Sequence, residues 1–138
     1  MINTKDLMIG NILLWNGKKY KVAYFFSDVI ALDISEEFGE GAVQQFQYNQ
    51  IHSRDISELS GVPITQEILL KLGFKEMKPL PDSIHVWSDY ELNGVIIELP
   101  YFEFKWNYTE NSIAIKYIHT LQNIYKLLTC EDLDVSKI

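Results

Sequence analysis

Two Asn-Gly dipeptides, Asn16-Gly17 and Asn93-Gly94, each stand beside runs of apolar and β-branched residues. Asn-Gly is the strongest short-range hairpin signal, because both central positions of a type I′ turn need a positive φ that these two residues tolerate. Before the first dipeptide lies Ile12-Leu13-Leu14-Trp15, and after it Tyr20-Lys21-Val22-Ala23-Tyr24-Phe25-Phe26. Ser27-Asp28 makes a second turn ahead of Val29-Ile30-Ala31-Leu32-Asp33-Ile34. Three short strands with such tight connections pair antiparallel in chain order.

Residues 35–42 read as a polar loop bracketed by Gly39 and Gly41, and Val43 to Tyr48 as a fourth strand. Asn49 and Gln50 then turn into Ile51-His52-Ser53-Arg54. This density of short strands predicts a small, partly closed barrel of the SH3-like sort, with a flat meander that leaves two open edges as the alternative. From Asp55 to Pro63 runs a connector in which Ile56, Leu59 and Val62 are available to plug a barrel end or dock on the next element. Thr65 as N-cap, Glu67 in the first turn and Gly73 at the stop predict a helix over about 66–72. Strands follow between about 84 and 117: Ile84 to Ser88, Val95 to Leu99 after the second Asn-Gly, Tyr101 to Trp106, and Ile113 to Tyr117. The period then changes to three and four (Ile118, Leu121, Gln122, Tyr125, Leu128), which predicts a terminal helix over about 118–129. The fold class is therefore α+β, with a small β-barrel module over 1–58 and an antiparallel sheet packed with two helices over 59–138. The acidic tail from Glu131 is expected to fray.

Charge and composition narrow the function. The chain has 138 residues, a net charge of −7 and one cysteine. That length suits one domain or two very small ones. No apolar run approaches the length of a membrane-spanning helix. The start of the chain lacks both a basic leader and a continuous apolar segment, and a lone Cys130 suits a reducing compartment, so the expected location is the cytoplasm. Eleven of the twelve basic residues are lysine, and only Arg54 offers the planar fork that reads guanine or phosphate. Residues 1–30 carry a charge of +2, residues 31–62 carry −5 and the remainder −4. Broad nucleic-acid binding is not expected; Lys18, Lys19 and Lys21 form the one patch that an accessory nucleic-acid contact would use.

Three segments carry a family resemblance. They are Asp6-Leu7-Met8-Ile9-Gly10-Asn11, the stretch Pro63-Ile64-Thr65-Gln66-Glu67-Ile68-Leu69-Leu70-Lys71-Leu72-Gly73-Phe74, and the run from Ile115 to Thr129. With these the chain resembles a family of uncharacterised small proteins from Bacteroidetes genomes and their phages or mobile elements. The resemblance implies a phage or mobile-element setting and no particular chemistry. Members often carry glycine where this chain has Cys130.

No set of residues proposes a reaction. His52, His85 and His119 are 33 and 34 residues apart, without the close pairing of zinc ligands, so no metal or other cofactor is expected. Cys130 follows a predicted helix end, where the dipole disfavours a thiolate. Asp82, Asp89, Glu91, Glu98 and Glu103 are the carboxylates a small hydrolase would draw on, yet their spacing requires no cleft. Aromatics are the enriched class, at 13%. A thin sheet cannot bury both faces of an aromatic strand, so some of Tyr24, Phe26, Tyr90, Tyr101 and Tyr108 should be exposed. The interaction candidates are Trp15, Tyr24, Phe26, Trp87 and Tyr101. Together these features point to a non-enzymatic interaction or accessory protein with a protein partner or a second copy of itself. A nucleic-acid accessory role and a carboxylate hydrolase stand behind it. The sequence specifies no small-molecule substrate.

Overall fold

The computed structural model describes residues 2, 4–26, 28–47, 54–77, 88–99, 103–105 and 112–138, and at 103–105 and 112–113 the backbone. The chain is α+β and divides into two compact units, Met1–Val62 and Pro63–Ile138.

In the first unit a curled, open six-stranded sheet forms a half-barrel. Strand β1 (Ile12–Trp15) turns at Asn16-Gly17 into the long β2 (Lys18–Phe26). Both turn residues have positive φ, 50° and 75°, the type I′ pattern the dipeptide predicts. Next come β3 (Val29–Asp33), β4 (Val43–Gln47), the two-residue β5 (Arg54–Asp55) and β6 (Ser60–Gly61). The order is β5-β4-β3-β2-β1-β6, so the last strand returns to pair with the first and carries this unit on to Val62. All pairings are antiparallel except β4 with β5.

Leu13, Val22, Ile30, Leu32 and Phe46 line the inner side of the sheet. Ile56 and Leu59, expected as plugs, join them at 1% and 2% exposure. They sit on and after a 3-10 turn (Ile56–Glu58), which Asp55 caps by accepting a hydrogen bond from the Ser57 N–H at 2.8 Å. Each such side chain contributes roughly 1.5–3 kcal/mol on burial. One expectation changes here. Ser35–Phe38, read as loop, is a turn of helix, α1, whose entry is held by Asp33 accepting from the Ser35 N–H.

In the second unit α2 (Gln66–Lys71) starts where Thr65 Oγ1 accepts a hydrogen bond from the Ile68 N–H. It ends at Gly73 (φ 94°), where the Phe74 N–H donates to Leu69 O and folds a fully buried Phe74 back onto the helix. A five-stranded sheet follows: β7 (Lys75–Met77), β8 (Ser88–Leu92), β9 (Val95–Leu99), β10 (Glu103–Lys105) and β11 (Ser112–Ala114), in the order β11-β10-β9-β8-β7. β7 was not anticipated. The strand before Asn93-Gly94 is flush against the turn, as a two-residue hairpin requires; the expected strand residues 84–87 lie outside the described residues. The terminal helix α3 is Ile118–Thr129, as its period predicts, and buries Ile118, Leu121 and Tyr125. Tyr125 Oη accepts a hydrogen bond from Asn93 Nδ2 at 2.7 Å, tying the helix to the hairpin turn. The tail differs from expectation, because Leu133 and Val135 are buried.

Candidate functional site

The exposure of the candidate aromatics Tyr24 and Phe26 is decided by one residue. β2 and β3 pair Val22 with Leu32 and then Tyr24 with Ala31, so Ala23 is an extra residue, a β-bulge. Side chains alternate along a strand, and without the bulge Tyr24 and Phe26 would follow Tyr20 and Val22 onto the core side. With it, Val22 keeps its place in the core beside Leu32, while Tyr24 and Phe26 pass to the outer side.

On that outer side three rows cross β2, β3 and β4: Lys21–Asp33–Val43, Tyr24–Ala31–Gln45 and Phe26–Val29–Gln47. Tyr24 is half-buried, and its hydroxyl accepts a hydrogen bond from Gln45 Nε2 at 2.8 Å. Phe26 is 75% exposed, the most open aromatic among the described residues. Gln47 Nε2 donates to Asp28 at 3.4 Å at the far end of the face.

The lysines divide. Lys18 shares the side of Tyr20 and Val22, and Lys19 and Lys21 share the outer side. Lys18 Nζ lies 3.0 Å from Glu37, whose carboxylate also accepts from the Tyr20 hydroxyl at 2.8 Å. These two hydrogen bonds hold the Glu37 carboxyl below its ordinary range and raise Lys18 and Tyr20. Glu37 comes from α1, the segment read as loop, so nothing in the sequence signalled this cluster. Lys19 stands opposite Leu14 and Lys21 opposite Ile12 and Asp33.

Trp15 is buried, at 8% exposure. Its ring packs edge-on against Phe46 at 5.4 Å, and its Nε1–H donates to Glu58 at 3.2 Å. The guanidinium of Arg54 sits over the ring at 5.1 Å and meets Glu58 at 3.4 Å. The single arginine is thus engaged within the fold. Trp87, Tyr101, Tyr108, His52, His85 and Asp82 lie outside the described residues. Tyr90 is buried at 2%. His119 is also buried, with its ring stacked on Tyr117 at 5.5 Å.

The backbone register places Glu98 opposite both Asp89 and Glu103. Glu91 pairs with Lys75 in the neighbouring row and accepts from the Gly94 N–H at 2.7 Å, which serves the turn. Among the described residues no three His, Cys, Asp or Glu side chains gather as a metal site requires, and no helix is long and apolar enough to cross a membrane. Cys130 is exposed and ends α3 in the left-handed conformation, φ 59°. No protein-family model matches the chain, and no curated protein or solved structure matches it.

Proposed function

We propose that the chain is a non-enzymatic interaction protein, with the outer face of the first sheet as its contact surface for another protein. The observation that carries this reading is the bulge at Ala23, which removes Tyr24 and Phe26 from the core and leaves Phe26 three-quarters exposed. A bulge that costs ladder pairing and exposes a large aromatic favours a surface role, since the same residues would stabilise the core if turned inward. Aromatic side chains offer much contact area for little conformational entropy, which suits them to protein interfaces.

The first unit reads as an SH3-like small barrel. Support comes from the return of β6 to β1, the 3-10 turn just before it, and a long second strand bent at a bulge. A cytoplasmic accessory protein of a phage or mobile element fits the resemblance of the Asp6–Asn11, Pro63–Phe74 and Ile115–Thr129 segments.

Photo-crosslinking tests the reading. A benzophenone side chain placed at position 26 of the full chain, in cells of the native host, should capture a discrete protein species. The same group at exposed Glu40 should not. Equal capture at both positions, or none at position 26, would overturn the assignment of the face.

A further inference from the structure

The outer side of β2 is one strip with two chemical halves. Lys19 and Lys21 occupy it before the bulge and Tyr24 and Phe26 after it, and the extra Ala23 is what aligns the four. At about 3.3 Å per residue the strip is roughly 20–25 Å long, the reach of a short extended peptide. Lys19 is exposed and faces Leu14 in the register, with no acid opposite it. Asp33 opposite Lys21 offsets part of that charge. The cationic half therefore centres on Lys19, and the apolar half on Phe26.

We infer that this strip receives a short acidic-apolar peptide segment of a partner protein. Its carboxylates lie at Lys19 and Lys21, and its apolar side chain lies against Tyr24 and Phe26. This deepens, and rests on, the interaction reading above. Charge complementarity selects the occupant: two lysines match one or two carboxylates, and the aromatic pair matches one large apolar side chain. A nucleic-acid strand is the poorer match, because its binding grows with the number of phosphates neutralised. Lys18 is turned to the other side and held by Glu37, Arg54 is stacked on Trp15, and Asp28 and Asp33 flank the strip.

The test uses the full chain to select from displayed random short peptides, followed by fluorescence anisotropy with a synthetic copy of the enriched peptide. The Lys19→Glu/Lys21→Glu and Phe26→Ser variants are titrated beside the parent, together with a labelled oligothymidylate. All three positions are exposed, so unchanged melting transitions confirm that the variants fold. The expected peptide carries carboxylates followed by an aromatic or leucine. Its affinity should fall by about tenfold or more in each variant, with the lysine effect shrinking at high salt. A peptide without carboxylates that loses binding only in Phe26→Ser would overturn the acidic class and leave the interaction reading standing. Selection of nothing that either variant weakens would overturn both. Oligothymidylate binding that is tighter than the peptide's and lost on lysine reversal would replace the peptide with a nucleic acid.

Discussion

Gln45 Nε2 donates a hydrogen bond to Tyr24 Oη over 2.8 Å, joining β4 to β2 across the intervening β3. The residue beneath it in both registers is Ala31, which is fully buried although it lies on the outer side of the sheet. A small side chain there lets the tyrosine and glutamine close over it, and this fixes where the Tyr24 ring stands beside Phe26. Tyr24→Phe should keep the ring and lose the bond, costing less than about 1 kcal/mol in denaturant unfolding, because Gln45 is exposed and water replaces the partner. Raised amide exchange at Ala31 would accompany it.

Phe26 and Phe46 are the same residue type in opposite roles. Phe46→Ala should cost about 3–5 kcal/mol, since its side chain is fully buried against Trp15. Phe26→Ala should change stability by no more than about 0.5 kcal/mol. Equilibrium denaturation of the two variants checks both values, and a comparable loss in each would mean that Phe26 is packed.

Deleting Ala23 removes the extra residue of the bulge in β2. Val22 is then followed directly by Tyr24, and the strand alternates without a bulge, with Val22 inside opposite Leu32 and Tyr24 and Phe26 outside opposite Ala31 and Val29. The expected result in equilibrium denaturation is a cooperative unfolding transition retained in the deletion variant as in Ala23→Ser, whereas its loss would mean that the bulge itself is required for folding.

Glu37 titrates with a sign set by its partners. The Lys18 hydrogen bond first, and the Tyr20 hydroxyl second, favour the carboxylate form and depress its pKa. A depressed acid contributes stability above its unfolded pKa, and that contribution is lost as pH falls through the folded value. In the Lys18→Met variant the Glu37 carboxyl carbon should titrate at higher pH by NMR than in the parent. In Glu37→Gln the Tyr20 phenol, raised chiefly by its bond to Glu37, should ionise at lower pH by ultraviolet absorbance.

Cys130 closes α3 with φ 59°, and its N–H donates to Lys126 O at 2.9 Å. The left-handed conformation costs a residue with a Cβ roughly 1–2 kcal/mol that glycine escapes. Cys130→Gly should therefore raise the melting temperature, by up to about that free energy less the greater unfolded-state entropy of glycine. A calorimetric scan under reducing conditions measures it.

Local chemistry determined a large share of this architecture. Asn16-Gly17 and Asn93-Gly94 specify their turns because few residue pairs accept two positive φ values, and Thr65 and Gly73 bracket α2 through caps within a few residues. The stripe from Ile118 to Leu128 marks α3 because helical period and burial coincide. What the tertiary structure alone decided are the relations between distant residues. Val22-Ala23-Tyr24 reads equally well with or without a bulge, and only pairing with β3 turned Tyr24 and Phe26 outward. Trp15 looked like an interaction residue until Phe46, Arg54 and Glu58, all more than thirty residues away, closed around it. Lys18 looked like a companion of Lys19 until strand alternation and Glu37 drew it to the other side. Composition and turn chemistry are properties of short segments. The face a side chain occupies depends on register, which neighbouring strands impose.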